Sequence, residues 1–471
     1  MNTILSTDSY KLTHHQMYPE GTEGVYSYFE SRQGAEFPYT VFFGLQKILE
    51  KLETPVTMDD VREAYGIAET HFGNPNLFNF DGWNYIVNKL DGKLPIRIKA
   101  VPEGSVIPTG NVLMTVENTD PECAWLTNFV ESLLTHVWYP STVATLSRHT
   151  KEMIAGHLDA TADNRDGLPF MLHDFGYRGA SSDETAAIGG AAHLVNFMGT
   201  DTLPAMVLAM QAYDADPQSL AFSVPATEHS VMTAGGQAQE MMIVADLLEK
   251  YPTGILSVVA DSYDIYRFVN TVAGLDLNSW YKDKILEREG VFVVRPDSIT
   301  VQHPTPDLLT EWIVDTLAKG FGTTTNSKGF KVLNPKIRVL WGDGIDPNGI
   351  DKILGRLQLA GYSAENMVFG MGGGLLQKVN RDTQRFAFKC SAQKRDGIWH
   401  DVSKIPLDTS KRSKAGRLKL VFSQAGNYAT ERYGVIPMYD VQIPDVLQTV
   451  FENGKITRHQ TFANIRERAA L

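Results

Sequence analysis

From about residue 165 the chain repeats one pattern: a short apolar run that stops abruptly in polar or glycine-rich residues. Phe170-Met-Leu172 runs into His-Asp-Phe-Gly-Tyr-Arg-Gly179, and Leu220-Ala-Phe-Ser-Val224 into Pro-Ala-Thr-Glu-His-Ser230. Ile255-Leu-Ser-Val-Val-Ala260 meets Asp-Ser-Tyr-Asp264, and Val291-Phe-Val-Val294 meets Arg-Pro-Asp-Ser298. Ile337-Arg-Val-Leu-Trp341 ends in Gly-Asp-Gly344, and Met367-Val-Phe369 in Gly-Met-Gly-Gly-Gly374. Helix-like stretches lie between them, among them Ser182–Phe197, Pro306–Lys319 and Gly349–Ala360. Continuously apolar strands alternating with helices predict a parallel sheet covered on both faces. Function-bearing residues at every strand end favour a barrel, whose sites sit at the C-terminal ends of its strands. An open doubly wound sheet binds ligands at those same ends and stays open as an alternative.

The remainder reads differently. Residues 1–145 mix strand-like runs (Gly24–Phe29, Pro95–Val101) with helical stretches, and Glu122 to about Leu134 reads as one largely buried helix. After about 385, strands return, as in Arg417–Phe422. The expected fold is therefore α/β: an irregular barrel of parallel strands over 146–384, and a mixed α+β domain built from 1–145 and 385–471. A chain of 471 residues is long enough for two cores. A formal net charge of −12 argues against binding nucleic acid or an anionic membrane, though a local basic pocket for a small anion is compatible with it. Cys123 and Cys390, the only cysteines, allow no disulfide framework. Met1 to Lys11 lacks the basic and apolar regions of a secretory signal, and no run approaches the ~18 apolar residues of a membrane helix, so a cytoplasmic location is expected.

Several strand ends carry chemistry. Gly342-Asp-Gly344 and Gly370–Gly374 would let backbone N–H groups approach an anion, and Leu375–Arg381 reads as a following helix bearing Lys378 and Arg381. Either glycine segment alone is ordinary turn chemistry; two on successive late strands favour a phosphate. No GxxxxGK[ST] loop is present. Asp261, Asp264, Asp297 and Asp343 could hold ribose hydroxyls or a water-bridged Mg²⁺, or could simply cap helices. His229, beside Glu228 just past a strand, is a candidate nucleophile or acid/base, against the commoner role of structural hydrogen-bonder. The run Lys411–Arg417 reads as a solvated face, or, with Arg32, Lys389 and Lys404, as a source of polyphosphate contacts.

Taken together, Thr7-Asp-Ser-Tyr-Lys11, His173–Gly179, Gly199-Thr-Asp201, Ser223–His229, Asp261–Asp264, Arg295-Pro-Asp297, Gly342-Asp-Gly344, Gly372–Lys378 and Lys411–Lys414 resemble the nicotinamide phosphoribosyltransferase family in order and spacing over the whole length. The resemblance implies homodimers whose active sites are shared, on a type II phosphoribosyltransferase barrel. It implies nicotinamide, phosphoribosyl pyrophosphate and ATP as substrates, with Mg²⁺ held mainly through pyrophosphate and water, and Asp261 or Asp297 as candidate direct ligands. Phe175 and the other subunit's Tyr10 would sandwich the nicotinamide ring, near Asp8, while Arg178 and Asp201 address its amide. An ionised Asp201 accepts a hydrogen bond from the amide NH₂ and repels the carboxylate of nicotinic acid. Arg295, Arg381 and Lys389 would meet pyrophosphate, with Lys404, Lys411 and Arg417 as further polyphosphate contacts. Asp261, Asp297 and Asp343 would lie near ribose and metal, and Gly342, Gly372 and Gly373 would hold the 5′-phosphate. His229 matches the histidine phosphorylated by ATP in the family.

Two positions depart from the family pattern: Ile299 replaces the glycine that usually follows Arg-Pro-Asp-Ser, and Ala387 stands where animal members have serine. A nicotinate phosphoribosyltransferase is the nearest rival, and Asp201 argues against it. A sugar-phosphate lyase or isomerase would need a Schiff-base lysine or an acid/base pair at a strand end, and no lysine directly follows the apolar runs. A non-catalytic binding protein leaves the converging strand-end residues unexplained.

Overall fold

The run-and-stop pattern becomes a parallel six-stranded sheet in a computed structural model that describes residues 2–276, 278–404, 413–423, 425–434 and 443–470. The chain divides into two compact units. One comprises 146–210 and 216–379; the other comprises 1–145, 211–215 and 380–470.

In the barrel unit the strands lie in the order Gly199–Thr200, Leu172–Asp174, Met367–Met371, Ile337–Trp341, Glu289–Arg295, Thr253–Val259, all parallel. Both edges of this sheet are bridged to one segment, Phe222 to Gly199 and Ala226 to Ser257, which closes an irregular barrel. The run Leu220–Val224 therefore contributes single bridges and no regular strand. Asp216 caps a short helix, Pro217–Leu220, and Pro225 has no N–H to extend a ladder. The sixth strand is instead the pair Gly199–Thr200, too short to show as an apolar run. Helices Asp183–Leu194, Pro306–Phe321 and Pro347–Leu359 follow strands as expected. The helix expected over 375–381 is only Gly373–Leu376. Beyond it the Asn380 side chain accepts from the Asp382 N–H at 2.8 Å, a local turn in place of further helix.

The other unit holds a seven-stranded sheet with antiparallel pairing throughout: Ile398–Asp401, Phe386–Arg395, Thr22–Ser31, Val112–Asn118, Ile96–Ala100, Gln448–Glu452, Lys455–Ile456. Strands from the two chain ends thus share one sheet. Ile96–Ala100 alternates buried and half-buried residues, the period of a sheet with one covered face. Its core includes Trp83, Trp125 and Phe129, packed edge-on with centroids 5.0–5.8 Å apart. The single helix expected over 122–134 is broken into Pro121–Cys123, Leu126–Phe129 and Glu131–Thr135. At the second break there is competition for carbonyls: Lys11 Nζ donates to Asn128 O at 2.8 Å and Thr7 Oγ1 to Phe129 O at 2.9 Å.

Candidate active site

The end of strand Leu172–Asp174 sets the first part of the site. The Phe175 N–H donates to the Met371 carbonyl at 3.0 Å, which turns the ring across the neighbouring strands. A Cβ on Gly370 would stand 2.0 Å from the Phe175 ring, and one on Gly342 3.2 Å from it. Gly370 is thus required by the aromatic ring, and Gly342 has a packing reason beside the phosphate contact expected of it. A Cβ on Gly372 would meet the Phe175 carbonyl oxygen at 3.3 Å, whereas the space before Gly373 is open. Arg178 is exposed on the turn Tyr177–Gly179.

Asp201 follows the two-residue strand. Its carboxylate faces His173 Nε2 at 3.1 Å and accepts a short hydrogen bond from Ser223 Oγ. Burial pushes this carboxyl up, but His173, Ser223 and the charge of Arg295 outweigh burial and hold it below the usual value. It therefore stays ionised at neutral pH. Beneath it Asp174 is fully buried and accepts from the Gly176 N–H at 2.7 Å, while its carbonyl takes the Asp201 N–H at 2.9 Å. Burial raises the Asp174 carboxyl, against those hydrogen bonds. Arg295 lies with Cζ 5.9 Å from the Phe175 ring centroid, and its Nε is buried with no hydrogen-bond partner. Burial lowers its pKa, opposed by Asp297, Asp201 and Asp261.

His229 opens the short helix His229–Met232. Its Nε2 is 3.2 Å from Asp261 and its Nδ1 3.8 Å from Asp297, so the imidazole stands between two strand-end carboxylates. Glu228, adjacent in sequence, instead accepts from Ser230. Ser298 donates to the second Asp261 oxygen. The loop beyond it is clamped by Tyr266, whose hydroxyl meets Thr300 Oγ1 at 2.6 Å and His303 Nδ1 at 2.8 Å. Ile299 is exposed in this loop. Asp264 is a helix cap, accepting from the N–H groups of Tyr266 and Arg267. Burial, then repulsion from Asp297 and Asp261, raises the Asp343 carboxyl. Asp343 thus stands near Asp261 and Asp297, yet among the described residues no three metal-ligating side chains form a cage. That donor set fits a divalent ion carried largely by substrate oxygens and water.

In the other unit a basic group surrounds Glu30, which is 3% exposed and paired with Lys414. Burial lowers the Lys389 pKa; Glu30 opposes this, and Arg32, Lys414 and Lys404 add to it. Arg32 donates through Nε to the Arg385 carbonyl at 3.1 Å. Arg381 is exposed, 4.0 Å from Asp382. Arg417 is engaged elsewhere: it pairs with Glu117 at 3.3 Å and lies over Trp399, Tyr26 and Tyr433. Lys411 lies outside the described residues. Tyr10 is 56% exposed on the 3₁₀ segment Ser9–Gln16, with His14 beside it at 5.1 Å; Asp8 precedes it and accepts from Ser132.

Sequence reasoning assigned no role to His173, Ser223, Ser298 or Glu30, and assigned Gly370 an anion contact where the structure shows it making room for Phe175. A glycine inside an apolar run signals close approach of another group, and Gly370 could have been read so. The partners of the other four depend on contacts made across strands or loops distant in sequence.

Comparison with known proteins bears on this arrangement. Residues 170–455 match the nicotinate phosphoribosyltransferase (NAPRTase) family, and residues 2–98 match the nicotinamide phosphoribosyltransferase N-terminal domain. The chain is 46% identical to a nicotinamide phosphoribosyltransferase of Xanthomonas campestris pv. campestris, covering 99% of this chain and 98% of that protein. It is 34% identical to one of Mycoplasma pneumoniae, covering 88% and 94%. Among solved structures, human nicotinic acid phosphoribosyltransferase superposes with a TM-score of 0.57 over 98% of this chain and 92% of that one, at 15% identity, a likeness of fold. Among the described residues no helix is long and apolar enough to cross a membrane. The full-length identity and the two family matches place the chain among the nicotinamide phosphoribosyltransferases, a family of pentosyltransferases.

Proposed function

We propose that the chain joins nicotinamide to phosphoribosyl pyrophosphate, giving nicotinamide mononucleotide and pyrophosphate. The observation that carries this reading is an ionised Asp201 in the same unit as the Phe175 ring, in a member of this family. Nicotinamide stacks on Phe175, and in a homodimer the exposed Tyr10 of the partner subunit covers its other face. Asp201 accepts a hydrogen bond from the amide NH₂, with Arg178 also addressing the amide. The carboxylate of nicotinic acid would meet Asp201 with like charge.

The pyridine nitrogen attacks C1′ of the ribose as the C1′–O bond breaks, and the electron pair leaves with pyrophosphate. That nitrogen carries no proton, so no general base is needed and catalysis rests on positioning and electrostatics. Arg295, whose Nε has no protein partner, is poised to donate to the departing pyrophosphate. Asp261, Asp297 and Asp343 serve the ribose hydroxyls, and Gly342, Gly372 and Gly373 the 5′-phosphate. Mg²⁺, when bound, neutralises pyrophosphate charge. Arg32, Arg381, Lys389 and Lys404 form a polyphosphate-binding group.

ATP is the proposed phosphoryl donor to His229. With Nε2–H donating to Asp261, Nδ1 keeps its lone pair, attacks the γ-phosphorus, and ADP leaves with the electrons of the broken P–O bond. The test is chromatographic detection of nicotinamide mononucleotide from nicotinamide, phosphoribosyl pyrophosphate and Mg²⁺, with and without ATP. His229→Ala should retain slow transfer and lose ATP hydrolysis. No product with either nicotinamide or nicotinic acid would overturn the reaction; undiminished ATP hydrolysis in the variant would overturn the phosphohistidine.

A further inference from the structure

The unit built from the two chain ends contains a cavity of about 320 Å³ that no step above uses. Gln448, Arg458, His459, Gln460, Asn464 and Arg468 line it, and no described carboxylate does. Its walls are held from behind by a buried polar network. Gln460 donates its N–H to Gln46 Oε1 at 2.8 Å, and its own Oε1 accepts from the Glu103 N–H at 2.9 Å and from Arg468 Nη1 at 3.2 Å. The Glu103 carboxylate is committed elsewhere, to the N–H groups of Gly44 and Gln46 at 2.7 and 2.6 Å and to the Tyr213 hydroxyl at 3.0 Å. Arg468 therefore has carbonyl oxygens as its direct partners. His459 is fixed between Gln46 at 3.2 Å and Asp214 at 3.4 Å. Arg458 is exposed and has no ion pair with a described residue.

We propose that this cavity binds a small phosphorylated anion, between inorganic phosphate and a sugar phosphate in size, at a site separate from the transfer centre. Two arginines and three amide-bearing residues line it, and the planar donor fork of arginine matches phosphate oxygens. The volume lies at the lower end of small-ligand sites, too small for a nucleic acid or a protein segment. In a chain of net charge −12 this is a local concentration of donors and no part of a generally basic surface. The network behind Gln460 and Arg468 fixes their side chains before any ligand arrives, which lowers the entropic cost of binding.

The probe is selenate, a tetrahedral oxyanion that can be located by anomalous scattering in crystals of the full chain. Wild type should show it in the cavity. Arg458→Gln, which breaks no hydrogen bond or ion pair with a described residue, should need at least about tenfold more selenate for the same occupancy, the loss of one charge-assisted contact. Asn464→Asp, which brings a like charge to the wall, should empty the cavity. Both variants should keep wild-type transfer rates in phosphate-free buffer. Selenate found at the barrel strand ends alone, or equal cavity occupancy in all three proteins, would overturn the proposal.

Discussion

In the barrel unit the charged groups stand where strands stop; in the other unit they stand on the strands themselves. Asp201, Asp261, Asp297 and Asp343 each follow a parallel strand, and their neighbours are other strand ends. In the antiparallel sheet, Arg97 lies directly opposite Glu117 on one side and Glu452 on the other, with ion pairs of 3.2 and 2.5 Å. Glu117 takes Arg417 as well. The first arrangement gathers carboxylates around Arg295 and His229 and leaves Asp343 opposed by Asp297 and Asp261. The second neutralises charge in place and holds the chain ends together. The difference separates charge gathered at strand ends from charge paired across strands.

The sharpest way to break this distinction is at Gly370. Gly370→Ala would put a Cβ 2.0 Å from the Phe175 ring, and the ring must leave its place. Transfer activity should fall at least about a hundredfold, while stability falls by only ~1–3 kcal/mol, as for overpacking elsewhere. Steady-state rates beside urea denaturation check both. Activity near wild type would show that the Phe175 position is not part of the site. Glu30→Ala is the converse test: it leaves Lys414 without its buried partner and should lower stability by roughly 3 kcal/mol. A change below about 0.5 kcal/mol, the usual size for a surface site, would show that the sheet does not depend on in-place neutralisation.

The two kinds of region differed equally in legibility. The parallel strands could be read because burial on both faces leaves continuous apolar runs, as in Ile255–Ala260. For the same reason the residues just past each run could be named as site candidates. Gly199–Thr200 escaped because two residues make no run, and 220–224 misled because Asp216 and Pro225 hold it out of a regular ladder. The antiparallel unit was legible as strands but not as a network. Nothing local indicates that Arg97 will face Glu452, 355 residues away, or that Arg417 will be engaged by Glu117 and three rings. The break at Val130 was hidden for a like reason, since the preceding carbonyls of Asn128 and Phe129 are taken by Lys11 and Thr7 more than a hundred residues earlier.

The smallest expected effect concerns pH. Asp201 is held below its ordinary value, so its contribution to stability and selection is present above that value and lost only as pH falls through its depressed folded-state pKa. The preference for nicotinamide over nicotinic acid should therefore change by less than about twofold between about pH 5 and pH 8. Asp343 has the opposite sign: its raised pKa means that ionisation costs stability, a cost relieved as pH falls. A preference that collapsed within that pH range would contradict an Asp201 held ionised throughout it.

Asp201 is the residue proposed to select the base. Its most direct test is the ratio of kcat/KM for nicotinamide to that for nicotinic acid, by pyrophosphate release, in wild type and Asp201→Asn. A site that hydrogen-bonds one substrate and repels the other can discriminate by ~10⁴ or more. Wild type should strongly prefer nicotinamide, and the preference should fall at least about a hundredfold in the variant while the protein remains folded. Equal use of both bases by wild type, or an unchanged ratio in Asp201→Asn, would contradict that role.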